Sequence, residues 1–119
     1  MKKIFLAEDD STMIKLLETL LKLEGFDPKP IDLAKGDLLN SLREDVPEIL
    51  LLDVNLPNNN GMDVIKEMRA DDLFKNTRVV MASGMSLGEE CLQNGADDFL
   101  LKPYMPDDLI NILKKYNQT

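Results

Sequence analysis

Two acids close the first apolar run of the chain: Lys3-Ile4-Phe5-Leu6-Ala7 leads into Glu8 and Asp9, with Asp10 behind them. A further carboxylate, Asp53, closes Ile49-Leu50-Leu51-Leu52. Ser83 follows Val79-Val80-Met81-Ala82, and Lys102 follows Phe99-Leu100-Leu101. Read alone, Asp53 is a capping aspartate where a strand gives way to a loop. Five polar groups repeating the same placement are not explained by capping. Three carboxylates about 4 Å apart would repel by roughly 1–4 kcal/mol per pair at effective dielectrics of about 80 to 20, so such a cluster calls for a cation. Hard oxygen donors with no soft ligand suit Mg²⁺ or Mn²⁺. Acids, a divalent metal, a lysine and a hydroxyl are equipment for moving a phosphoryl group, whose spread charge must be neutralised. Asp53, the central carboxylate, is the natural nucleophile and would form an acyl phosphate. The acids after the first strand would hold the metal, Ser83 would donate a hydrogen bond to a phosphoryl oxygen, and Lys102 would pair with another from the other side.

Such a cleft requires the strand ends to share one edge, which a parallel sheet provides. The run ending at Asp53 has no polar alternation and reads as a strand buried on both faces. After Asp10 or Ser11 as cap, Met13, Leu16, Leu17, Leu20 and Leu23 recur at helical spacing up to Gly25. Pro28 and Pro30 place the next strand, about Asp27 to Ile31, at a sheet edge. Leu38, Leu39 and Leu42 mark a second helix, and Val64, Ile65 and Met68 a third. Arg78–Ala82 is a fourth strand, followed by a short helix with Leu87, Cys91 and Leu92 and a stop at Asn94-Gly95. Phe99–Leu101 is a fifth strand, and Pro106 opens a last helix with Leu109, Ile112, Leu113 and Tyr116 on one face. Five strand-helix units in alternation predict a doubly wound α/β sheet with right-handed crossovers.

The bulk properties narrow the function. At 119 residues the chain fits one domain, expected to span 1–119. With 14 basic and 22 acidic side chains, its net charge of −8 opposes direct nucleic-acid binding. No apolar run reaches membrane-span length and no signal peptide is evident, so a cytoplasmic protein without membrane contact is expected. A lone cysteine, Cys91, and the absence of histidine set aside disulfides, zinc enzymes and hydrolases built on an imidazole base.

Glu8-Asp9, Asp53, Ser83 and Lys102-Pro103, each after its strand, resemble the receiver domain of two-component response regulators, and the resemblance covers essentially the whole chain. It implies a flavodoxin-like (βα)5 fold with strand order 2-1-3-4-5 and helices on both faces. It implies that Asp53 accepts a phosphoryl group from a phosphohistidine on a sensor kinase or histidine phosphotransfer protein. Asp9, Asp53 and the backbone carbonyl of Asn55 would bind Mg²⁺, with Glu8 acting through a bound water. Ser83 would swing toward the phosphorylated Asp53, and Phe99 stands where a switch aromatic turns inward. The Lys102-Pro103 bond would be cis, and Asp10 would be a helix cap. The output would be an unnamed downstream protein bound by a monomer or a phosphorylation-linked dimer, in a signalling switch rather than a turnover enzyme. The protein would be either a stand-alone regulator of the chemotaxis type or the receiver of a longer chain.

Departures from the family pattern carry expectations of their own. Only 19 positions separate Ser83 from Lys102, which implies a short fourth helix and an altered partner surface. Asn59 stands where the loop is often apolar. Three other readings compete. An aspartyl-phosphate phosphatase would carry its nucleophile on the first strand, with a second Asp two residues on. A flavodoxin-type binding module would not place three acids after strand one. A phosphorylation-independent interaction module would keep the fold without accepting phosphate.

Overall fold

The computed structural model describes residues 2–116; Met1 and residues 117–119 of the expected domain lie outside the described residues. The elements run β1 (Lys2–Ala7), α1 (Ser11–Leu23), β2 (Phe26–Pro30), α2 (Leu38–Glu44), β3 (Ile49–Asp53), β4 (Asn55–Leu56), β5 (Asn59–Asn60), α3 (Gly61–Arg69), a 3-10 turn (Asp72–Phe74), β6 (Arg78–Ser83), α4 (Gly88–Gln93), β7 (Asp98–Leu101) and α5 (Pro106–Tyr116). Five strands form one parallel sheet in the order β2-β1-β3-β6-β7. Counting only these five, this is the expected order 2-1-3-4-5. The proline-bearing β2 lies at an edge, as its missing N–H donors require. The fifth strand, β7, forms the other edge.

Alternation along the strands divides the core in two. Phe5, Ala7, Leu50, Leu52, Val79 and Met81 face α2, α3 and α4, which contribute Leu38, Leu42, Ile65, Met68 and Cys91. Ile4, Leu6, Ile49, Leu51, Val80 and Ala82 face α1 and α5, which contribute Leu17, Leu21, Leu109 and Leu113. With both faces covered, all five residues of β3 are buried, which is why its sequence is a continuous apolar run. In α1 the expected stripe is rotated. Leu17 and Leu21 are fully buried, whereas Leu16 and Leu23 are exposed. Leucines at 16, 17, 20, 21 and 23 leave several faces equally apolar, and contact with the sheet selects one.

Asp10 caps α1, its carboxylate accepting the N–H groups of Thr12 and Met13 at 3.0 and 3.2 Å; Gly25, at φ +88°, follows the helix end. The asparagine run is a small hairpin between β4 and β5 in which each residue has its own role. Asn58 takes a left-handed φ of 62°, a conformation asparagine tolerates better than most residues. Asn59 accepts the Leu38 N–H at 3.4 Å and so ties the loop to α2. Asn60 caps α3 through the N–H groups of Met62 and Asp63. The fourth helix is short, with six residues, in line with the Ser83 to Lys102 spacing. Of its expected apolar residues Cys91 is buried and Leu92 is exposed.

Candidate phosphoryl-acceptor site

Parallel pairing brings the carboxyl ends of β1, β3, β6 and β7 to one edge, and the candidate groups meet there. Glu8 and Asp53 are 2% and 5% exposed, unusually deep for carboxylates. Glu8 is held by the turn it begins: its Oε2 accepts the N–H groups of Asp9 and Asp10 at 2.9 and 3.0 Å. Asp53 Oδ1 accepts the Asn55 N–H at 3.3 Å. Asp9 is exposed, and carboxylate oxygens of Glu8, Asp9 and Asp53 lie within 4.8 Å of one another.

Lys102 stands among the acids rather than across from them. Its Nζ donates to Glu8 Oε1 at 2.8 Å and to Asp53 Oδ2 at 2.6 Å, so one cation bridges the ends of β1 and β3. Its backbone is fixed as well, Lys102 N–H donating to the Ser83 carbonyl at 2.8 Å. The peptide bond to Pro103 is cis.

The two buried acids respond differently. Burial pushes the Glu8 carboxyl up, but hydrogen bonds from Lys102 and the Asp10 N–H outweigh it and leave the group below its usual 4.5. Burial also pushes Asp53 up; Lys102 pulls it down, the Glu8 charge pushes it up again, and it ends above its usual 3.8. Lys102 loses from burial but gains more from Asp53 and Glu8, which raise its pKa further. The shifts of Asp53 and Lys102 thus favour opposite charge states for one ion pair. The lysine answers to two carboxylates and stays protonated. Asp53 has one lysine against burial and a neighbouring anion, and is the weaker acid of the two carboxylates.

The remaining candidates border this cluster without joining it. Ser83 is fully buried, and its Oγ accepts the Met85 N–H at 3.1 Å. Asn55 is exposed in β4. Phe99 is half-buried, packs on the α2-α3-α4 side of the sheet and lies against Gly88, where a Cβ would come within 3.0 Å of its ring.

Two residues that the sequence reading did not single out as part of the site belong to its setting. Gly61 opens α3 directly against β3: a Cβ there would collide with the Asp53 carbonyl oxygen and approach Val54 Cα to 2.7 Å. Glycine therefore allows α3 to approach the backbone that carries Asp53. A glycine after three asparagines signals only a turn, so this contact is not readable from local sequence. Tyr104 is 7% exposed and lies on the α1-α5 side of the sheet with Ile4, Leu6 and Ala82.

Five parallel strands with three carboxylates and a lysine gathered at one edge define an α/β module with a candidate cation-dependent site at that edge. The family model for the response regulator receiver domain matches residues 4–114, and the chain belongs to that family. It is 35% identical over 118 residues to the DNA-binding response regulator MtrA of Mycolicibacterium paratuberculosis, covering 92% of this chain and 48% of that one. The chain thus spans about half the length of the curated relatives it matches. Among solved structures, the receiver domain of Francisella response regulator 1452 superposes with a TM-score of 0.85 at 27% identity, covering 99% of this chain and 100% of that one. The receiver domain of sensor histidine kinase PA1611 from Pseudomonas aeruginosa, described with magnesium coordinated in its active site cleft, shares the fold with a TM-score of 0.80 at 24% identity, covering 97% and 96% of the two chains. A receiver domain is a signalling module rather than a turnover enzyme, which sets the phosphatase alternative aside. Among the described residues, no helix is long and apolar enough to cross a membrane.

Proposed function

We propose that this chain is a phospho-accepting switch in which Asp53 takes a phosphoryl group from a phosphohistidine on a sensor histidine kinase or a histidine phosphotransfer protein. The observation that carries this reading is the buried Asp53 paired with Lys102 beside two further carboxylates at one sheet edge. In the transfer one Asp53 oxygen attacks phosphorus and the P–N bond to the donor imidazole breaks. The leaving nitrogen keeps the bonding electrons and takes up a proton from solvent.

The donor set fits a small divalent cation: three carboxylates, all oxygen, closely grouped and with Asp9 open to solvent. Asp9 and Asp53, with the Asn55 carbonyl, would hold Mg²⁺ or Mn²⁺, and Glu8 would act through a bound water. When bound, the ion neutralises charge on the phosphoryl oxygens. Lys102 moves its positive charge from the carboxylate pair to the phosphoryl group. Ser83 gives up the Met85 N–H and turns its hydroxyl to a phosphoryl oxygen, and Phe99 follows from its place against Gly88. The altered surface then selects a downstream protein, with the chain as a monomer or a phosphorylation-linked dimer. The net charge of −8 argues against nucleic acid as the direct partner of this domain. A cytoplasmic location fits a partner kinase that transfers phosphate inside the cell.

Incubation with Mg²⁺ and a small acyl-phosphate donor, read by intact mass, tests the assignment. One added phosphoryl group is expected in the wild type and none in Asp53→Asn. An adduct of equal yield in both would place the acceptor elsewhere. The six-residue α4 favours one second reading, an interaction module that works without phosphate. Wild-type protein that takes up no phosphoryl group would support it.

A further inference from the structure

Tyr104 lies deep in the α1-α5 side of the core, yet its hydroxyl has no hydrogen-bond partner among the described residues. An orphaned buried hydroxyl is costly in an otherwise apolar setting and points to an ordered water or a functional role. Its surroundings suggest which. The residue follows Lys102 by two positions, and it shares its core cluster with Ile4, Leu6 and Ala82, which lie on the strands that lead to Glu8 and Ser83. Burial, then the Glu8 charge, push its ionisation up to about 12, with Lys102 and Asp53 also acting on it. Ile4 and Leu6 face the α1-α5 side on which Tyr104 lies, and Glu8 is the next position in that alternation.

Glu8 has a matching deficit. A carboxylate offers about four lone-pair sites. Oε2 uses two on the N–H groups of Asp9 and Asp10, and Oε1 uses one on Lys102. One acceptor site on Oε1 remains, and Oε1 loses its lysine when Lys102 turns to a phosphoryl group. We propose that the Tyr104 hydroxyl and one buried water form a hydrogen-bonded bridge to Glu8 Oε1, making Tyr104 a positioning residue that holds Glu8 in place for metal binding. The bridge satisfies the tyrosine and keeps Glu8 oriented after Lys102 has moved. This inference rests on the phospho-acceptor reading for its consequence, but not for the bridge itself.

Three measurements test it. A high-resolution crystal structure should show a water within hydrogen-bond distance of both Tyr104 Oη and a Glu8 carboxylate oxygen; a dry hydroxyl overturns the proposal. Titration of the folded protein with Mg²⁺ by calorimetry should show about 3- to 10-fold weaker binding in Tyr104→Phe, the scale of one lost water-mediated hydrogen bond to a charged group. The phosphorylation rate at saturating Mg²⁺ should stay within about twofold of wild type, because the lost interaction serves metal binding rather than the transfer step. Tyr104→Leu, which also removes the ring, should bind Mg²⁺ no more weakly than Tyr104→Phe while melting at a lower temperature. Unchanged Mg²⁺ affinity in Tyr104→Phe, or a loss confined to Tyr104→Leu, overturns the role. Failure of the wild type to bind Mg²⁺ or accept phosphate would instead defeat the phospho-acceptor reading, and the crystallographic water would still decide the bridge.

Discussion

The two ends of the sheet each carry a cluster of charges, and they are built on opposite plans. At the end opposite Asp53, Arg69 donates to the carbonyls of Gly95, Phe74 and Thr77 at 2.8 to 2.9 Å and to Asp97 at 3.1 Å. Asp97 in turn accepts the Val79 N–H at 2.8 Å and pairs with Arg78. Four of the five Arg69 N–H donors are spent on the protein itself, and the cluster joins α3, the turn after it, β6 and the loop before β7. At the Asp53 end two buried acids share one lysine with an exposed third acid beside them. Negative charge is left in excess there. A saturated cluster resists change and serves the fold, whereas an unsaturated one keeps capacity for a ligand.

The end opposite Asp53 depends most on Arg69. Arg69→Ala removes the donor shared by three carbonyls and one partner of Asp97, which keeps Arg78 and the Val79 N–H, and urea unfolding should show a loss of about 3–5 kcal/mol. Protein that remains folded at low temperature should still take up a phosphoryl group at Asp53. A loss below about 1 kcal/mol, the scale of an exposed pair, would mean that the clamp is not structural.

At the other end a smaller effect of opposite sign is expected. Asp53→Asn removes a charge that burial and Glu8 disfavour, while the amide oxygen can still accept from Lys102. Metal-free protein should gain about 1 kcal/mol near neutral pH. The sign follows from the raised pKa of Asp53. Its contribution to stability is fully present below the ordinary value of 3.8 and is lost as pH rises through the higher folded value. Urea unfolding from about pH 3 to 7 should therefore show the advantage of Asp53→Asn opening as pH rises. A wild type more stable than the variant at neutral pH would mean that the Lys102 pair outweighs desolvation.

The smallest effect belongs to Gly88, beside the acid end. The ring of Phe99 must give by a few tenths of an ångström to admit a Cβ at 3.0 Å. Gly88→Ala should change stability by no more than about 1 kcal/mol. It should also reduce the change in Phe99 ring chemical shifts on phosphorylation. Full-sized shifts would show that Phe99 moves without involving the start of α4.

Much of the acid end was legible before the fold was known, because parallel α/β sheets put polar groups where apolar strands stop. Glu8, Asp53 and Lys102 stand out against the apolar runs that precede them. The Arg69 clamp had no such signal: its partners are mostly backbone carbonyls, which every residue carries, so no residue type marks them. Tyr104 gave none either, since a tyrosine after a proline is unremarkable until its hydroxyl is found buried. In α1 leucine was too plentiful to choose a face, and packing against the sheet exposed Leu16 and buried Leu21.

The alternation of strands and helices, the acid, hydroxyl and lysine at successive strand ends, and the short span from Ser83 to Lys102 are properties of the chain alone, set by residue type and order. The tertiary structure alone decided that Lys102 sits between Glu8 and Asp53, that α3 closes on the Asp53 backbone at Gly61, and that the Tyr104 hydroxyl has no hydrogen-bond partner among the described residues. These depend on distances between residues far apart in sequence, fixed only when both faces of the sheet are covered.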